Sequence, residues 1–443
     1  MAYINYSVNK DVFIKVIFLM FSLVSSFLFS FYGNELWGGI IGLTILLIAA
    51  LILSGLDLLH PYTWFTPIFY LYSVSVPLLV ATGEVGYMTS IKETLFAEWI
   101  ALTTFLVVVS PMRKKIVIND HKNLENLQLV LKGVYITSVL ITFAGLVYVY
   151  ALGITSKYEL ALNDSVFLKI SGPFYSLFIL SFLLLLAHSL TIKKRIPWKL
   201  IAFTLGYTFL AILIMGQRDT FLWALMGLVY LYHTLYKFIS RKKMIIIGLA
   251  TLFSIPLLAD MRNIGVSNSY QTAYNKDSII MRITNAEFGA ASRNLQIVID
   301  NDHIWSYFYG KTILDEFNLA FFKGTESAGI WFNQTFFPEL YQIGGGNGFT
   351  IVGEGYINFG LFGVILMFIF LGLLMKYLYV KATKQVIWLV IYTMFIPIML
   401  FMIRGDLASL FAKFSKHIIL PLIIIYLTKH ILENKHKHKE SER

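Results

Sequence analysis

Residues 338–375 read PELYQIGGGNGFTIVGEGYINFGLFGVILMFIFLGLLM. From Val364 onward the stretch is so uniformly apolar that it belongs in a membrane. The half before it carries glycines at 344, 345, 346, 348, 353 and 355, and places Glu354 and Asn358 in the first turns of the entering helix. Glycine permits close backbone approach to a ligand and tight turning, and it equally serves a plain helix entry. Glu354 and Asn358, four residues apart, share one helix face.

The rest of the chain extends the membrane reading. Of its 443 residues, 57% are hydrophobic and only 14% charged, and the apolar residues fall in long runs instead of short alternations. Twelve runs approach the length of about 20 residues that spans a bilayer: 12–32, 36–56, 62–82, 93–110, 129–152, 166–190, 198–216, 219–236, 244–259, 350–375, 386–403 and 407–428. The expected fold is an all-α polytopic membrane protein with about twelve spans, within a range of eleven to fourteen. The runs 198–236 and 386–428 fold as hairpins with almost no loop. The first run has no small-residue cleavage site and reads as a first membrane helix. Zero cysteines exclude disulfides and thiol chemistry.

A net charge of +11 could suit nucleic acid, but its distribution points to a membrane. Fifteen basic residues crowd alternate short loops around 113–122, 193–199, 237–243 and 376–384, whereas the intervening short loops hold Lys92, Lys157 and Arg218. The positive-inside rule then puts both termini in the cytoplasm. The division that follows is 1–259 with nine helices, an outer loop 260–349, three helices in 350–428 and a basic tail 429–443. The outer segment, Asp260 to Phe349, holds six Lys/Arg against nine Asp/Glu and many aromatics, so it reads as a folded cap.

Charged residues at the outer helix ends are the candidate site. "GQRD" sets Arg218 beside Asp219, and "IRGD" sets Arg404 near Asp406. Each is either a snorkelling arginine neutralised by its neighbour or a fixed cation lining an outward cavity. Within the cap, 278–299 reads as a helix whose Arg282 and Arg293, eleven residues apart, project within about 20° of each other. An amphipathic cap helix gives the same spacing. Arg262 directly follows the ninth run. Guanidinium forks suit phosphate, so outward arginines near lipid suggest an anionic lipid headgroup, best a pyrophosphate. Apart from Lys15 and Lys132 near their helix ends, no central line of membrane charges of the kind a transporter uses stands out.

The run "GGGNGFTIVGEGYINFGLFGV", preceded by "RNIG" and "GIWFNQTFFPEL" and joined by the two Arg hairpins, resembles the bacterial oligosaccharide repeat unit polymerases, the O-antigen polymerase (Wzy) family. The motif resemblance covers Gly216–Gly363 and the Arg404 hairpin; the first 200 residues agree in hydropathy alone. It implies a GT-C-like glycosyltransferase of the bacterial inner membrane, with a periplasmic loop and an outer-face site. Both donor and acceptor would be oligosaccharide on undecaprenyl pyrophosphate. It further implies a chain-length regulator in the same membrane as a partner, no nucleic acid, no cofactor and no metal.

On that resemblance Arg218, Arg404, Arg262, Arg282 and Arg293 hold pyrophosphate and sugar, helped by Glu339, Asn358, Gly345 and Gly346. Glu354, Asp219, Asp406 and His303 are the candidates for catalysis, with Glu339 a further candidate base. Glu354 is the leading one. The Asp300/Asp302 pair mimics a metal-binding DxD, and Asn333 heads a glycosylation triplet; both read as incidental. An O-antigen ligase and a flippase of the same lipid-linked units are the alternatives.

Overall fold

The structure, a computed structural model, describes residues 2–86, 89–109, 122–153, 166–215, 219–248, 288–315, 327–342 and 346–441. Among these the helices are α1 (Ala2–Tyr32), α2 (Glu35–Ser54), α3 (Pro61–Ala81), α4 (Ile91–Val109), α5 (Lys122–Glu125), α6 (Gln128–Ala151), α7 (Val166–Thr191), α8 (Trp198–Met215), α9 (Asp219–Leu231), α10 (Gly289–Asp300), α11 (Ala328–Phe336), α12 (Pro338–Gln342), α13 (Ile351–Ala382), α14 (Val386–Met402), α15 (Leu407–Phe414) and α16 (Leu420–Ser441). No strand occurs among the described residues. Local chemistry sets the ends. Asn34 caps α2 by accepting from Leu36 N at 3.2 Å, and α2 stops at Gly55, which is left-handed with φ 61°. His60 caps α3, with Pro61 at its first position.

Among the described residues, eight helices are long and apolar enough to cross a bilayer, in agreement with a polytopic membrane protein. They cover α1, α2, α3, α6, α7, α8, α13 and the continuous Leu407–Asn434 stretch. The other runs are shorter or more charged: α4 has 19 residues including Glu93 and Glu98, α9 has 13 and α14 has 17. Residues 249–259 of the ninth run lie outside the described residues.

The chain forms two compact units. One comprises Met1–Lys114, Ser240–Tyr379 and Met399–Ser409; the other comprises Lys115–Ile239, Val380–Ile398 and Leu410–Arg443. In the first, α13 packs closely on α4, with Gly372 against Val108 and Phe69 of α3 edge-on to Phe368 at 5.5 Å. Lys376 donates to the Val108 carbonyl at 3.1 Å and so snorkels to the end of α4. At the opposite end of α3 and α4 lies the cap helix α10. Its Asp300 accepts from Thr89 Oγ1 at 2.6 Å and from Ser90. Its Ser292 donates to the Ser73 carbonyl at 3.2 Å, about two turns down α3. In the second unit α7 is the most enclosed helix, and tyrosines clasp threonines around it: Tyr135 with Thr204 at 2.8 Å and Tyr207 with Thr142 at 2.8 Å.

The run 350–375, expected as one continuous entry helix, is broken. Phe359 (φ −145°, ψ 28°) and Gly360 (φ 60°, ψ −146°) are non-helical, so α13 is a half-helix Ile351–Asn358 followed by a long helix. Gly360 adopts the left-handed region that only glycine enters without strain. At the elbow the backbones of Gly355 and Gly363 touch; a methyl on Gly363 would overlap the Gly355 carbonyl. Gly355, Gly360 and Gly363 of the opening stretch therefore serve a fold-back in the helix.

Gly363→Ala is expected to lower the melting temperature of the detergent-solubilised protein sharply. Gly133→Ala, where a methyl meets open space, leaves it unchanged or raises stability by about 0.4–1 kcal/mol. Equal melting curves for the two variants would contradict the elbow.

Candidate functional site

Breaking a helix inside a membrane frees backbone carbonyls that must find other donors. Here the Ile357 carbonyl accepts from Phe308 N at 3.0 Å and the Asn358 carbonyl from Tyr309 N at 3.1 Å. Asn358 completes the joint with its side chain. Its Oδ1 accepts from Gly310 N at 2.9 Å, and its amide donates to Thr312 Oγ1 at 2.6 Å and to the Glu354 carbonyl at 2.8 Å. The residue is fully buried. A short segment of the cap, 308–312, is thereby sewn to the break.

The Arg404 hairpin sits over the same half-helix. Between α14 and α15, Arg404 N bonds the Phe401 carbonyl at 3.2 Å and Gly405 N the Met402 carbonyl at 2.9 Å, making a tight turn. Two buried carboxylates hold it. Glu354 Oε2 accepts from Leu407 N at 2.8 Å. Asp406 Oδ1 accepts from Ser409 N at 2.9 Å, capping α15, and its Oδ2 accepts from Gly329 N at 3.1 Å in the first turn of α11. The half-buried Arg404 guanidinium lies 5.4 Å over the Phe401 ring, a cation–π geometry. The turn thus presents one cation on a backbone fixed from both sides.

The glycine-rich arch leads into this arrangement. Asn333 of α11 clamps Asn347: its amide donates to the Asn347 carbonyl at 2.8 Å and its Oδ1 accepts from Asn347 N at 2.8 Å. The same amide also donates to the Gly329 carbonyl at 2.8 Å. Asn294 of α10 donates to the Gly348 carbonyl. Gly348 lies so close to the Arg404 carbonyl that a methyl there would collide with it. Phe332, Phe349, Val298 and Ile357 close a small apolar core beneath the arch.

The structure brings Glu354, Asn358, Arg404, Asp406 and the exposed Gly346 into the first unit's arch and hairpin. His303, in a short 3-10 turn, and Glu339, at the start of α12, are exposed on the cap. Arg293 is exposed on α10, while Arg282, its expected partner, lies with Arg262, Arg218 and Gly345 outside the described residues. Asp219 begins α9 in the second unit and is exposed. Asp300 is occupied in docking α10 to Thr89 and Ser90, and Asp302 is exposed. No group of three or more potential metal-ligating residues occurs among the described residues.

Three residues escaped sequence reasoning. Asn333 looked like an incidental glycosylation triplet, and Asn294 had no motif around it. Glu98 lies inside the first unit, 3% exposed, and accepts from Ser73 Oγ at 2.9 Å. It is one ionisable group within an apolar run beyond the Lys15 and Lys132 noted in the sequence, and a single carboxyl does not make a central line of charges. Its hydroxyl partner, a full helix away in α3, was the missing signal.

A family model described as O-antigen polysaccharide polymerase Wzy matches residues 12–436, nearly the whole chain. No curated protein and no solved structure matches it.

Asn333→Ala strands the partly buried Asn347 N–H and removes two donated bonds, which should cost about 1–3 kcal/mol. Asp406→Asn turns an NH2 toward one of two backbone donors and should cost a similar amount. Thermal unfolding in detergent reads both, and an unchanged Asn333→Ala melting point would rule out the clamp.

Proposed function

The chain belongs to the O-antigen polysaccharide polymerase Wzy family, and on that premise we propose that it joins undecaprenyl-pyrophosphate-linked repeat units at the outer face of the bacterial inner membrane. Both termini are cytoplasmic in this reading, the cap faces the periplasm, and the spans form a GT-C-like bundle of about twelve helices. The carrying observation is the Arg404 turn, whose two flanking carboxylates bind backbone N–H groups. Those bonds fix the backbone of the turn, so its arginine is carried on a preorganised scaffold.

The reaction follows from charge. A hydroxyl of the incoming unit attacks the anomeric carbon of the growing chain; the new C–O bond forms as the bond to pyrophosphate breaks. The leaving lipid pyrophosphate gains negative charge, which Arg404 receives as a bidentate donor, and Arg218 is a second candidate cation. Arg262, Arg282 and Arg293 supply further cationic contacts on the cap. Glu354 and Asp406 act by positioning Arg404, since both are buried on backbone donors. The hydroxyl proton passes to an exposed group, with Asp219, His303 and Glu339 the candidates. Gly346 lies in the arch against which sugar lies, Asn358 holds the joint beneath it, and Gly345 is a further candidate contact. A chain-length regulator in the same membrane is the partner this activity calls for.

Surface polysaccharide from cells lacking the gene, complemented with variants and separated on a gel, tests the reading. Arg404→Ala and Arg218→Ala should each cut polymerisation about 10²–10³-fold, leaving single repeat units on the core while the protein remains inserted. A normal ladder from both variants would falsify the assignment of the site. Loss of even the single unit in the deletion strain would turn the assignment to ligase or flippase.

A further inference from the structure

The residue following Phe308 is Tyr309, whose φ is 50°, the left-handed region that bulky side chains avoid; Gly310 follows at φ 86°. Tyr309 is also 75% exposed, so among the described residues little burial rewards the strain. The conformation persists because the turn is over-determined: Phe308 N, Tyr309 N and Gly310 N all bond to the broken end of the half-helix. Its effect is to stand a phenol ring out from a rigid turn. Tyr307 lies 6.3 Å away on one side and Phe359 6.3 Å on the other, both partly exposed. Just past the elbow from Phe359, the long helix of α13 carries exposed Phe362, Leu366 and Phe370, four residues apart on one face.

An interfacial tyrosine that merely anchors the protein among headgroups has no need of a left-handed backbone. A ring held immobile at the top of a lipid-facing stripe suits a ligand that has a lipid below and a flat apolar sugar face above. We propose that Tyr309, flanked by Tyr307 and Phe359, is a stacking platform for a pyranose ring of the lipid-linked repeat unit, its hydrocarbon tail lying along the α13 stripe. The identity of the ligand rests on the polymerase reading above. The platform sets where the glycan lies, and no bond is made or broken at it.

The probe is the repeat-unit oligosaccharide freed from lipid and pyrophosphate by mild acid, titrated against the full-length protein in detergent with saturation-transfer NMR. Tyr309→Phe should bind within about twofold of wild type, and Tyr309→Gly about tenfold more weakly. Glycine accepts the left-handed backbone, so Tyr309→Gly should melt at or above the wild-type temperature, separating lost binding from lost folding. Undiminished binding by Tyr309→Gly overturns the platform, and so does a wild-type protein that does not bind the oligosaccharide. The gel ladder is read separately. A wild-type ladder without oligosaccharide binding removes the platform alone, and binding without a ladder removes the polymerase reading alone.

Discussion

Everything around the candidate site follows from one constraint: a polypeptide that stops being helical in a lipid environment must satisfy its own backbone. The break at Phe359–Gly360 exposes two carbonyls, and the cap segment 308–310 answers them with the N–H groups of Phe308 and Tyr309, while Gly310 N binds the Asn358 side chain. Asn358 is suited to the joint because one amide both accepts and donates, to three partners. An aspartate there would lose both donated bonds. The cap is therefore part of the membrane helix's hydrogen-bond ladder, continued by another stretch of chain.

The two acidic residues nearest the arginine turn obey the same logic. A carboxylate at a helix N-terminus accepts orphan N–H groups and is favoured by the helix dipole. Asp406 does this for α15 and α11 at once, and Glu354 reaches across from the half-helix to Leu407. Chemistry that needs a cation at a fixed height gains from this arrangement, because a mobile arginine would lose orientation on each encounter. Burial of Glu354 and Asp406 sets them apart from the exposed Asp219, His303 and Glu339.

Hydropathy made the membrane class legible, because spans such as Leu36–Ser54 and Ile351–Ala382 are long and contain almost no charge. The Asn-Phe-Gly step and the arginine turn were visible as motifs. What they do to the backbone was not: glycine next to asparagine signals an irregularity without saying whether a helix starts, bends or folds back. The partners of Glu354 and Asp406 are backbone N–H groups, which every residue but proline has, so composition carries no trace of them. Asn333, Asn294 and Glu98 stayed hidden for a related reason. Each earns its place through a contact distant in the chain, and none belongs to a periodic pattern.

The half-helix has a bearing on how the protein is made. At eight residues it is about 12 Å long, under half of the roughly 30 Å hydrocarbon layer, and no insertion machinery would recognise it as a span. The long helix after Gly360 enters first, and the half-helix settles against the cap segment already synthesised. Its bond to Leu407 waits for some fifty more residues to emerge. The arginine turn thus comes into being near the end of translation, and a chain released before residue 409 has a membrane domain without an assembled cation site.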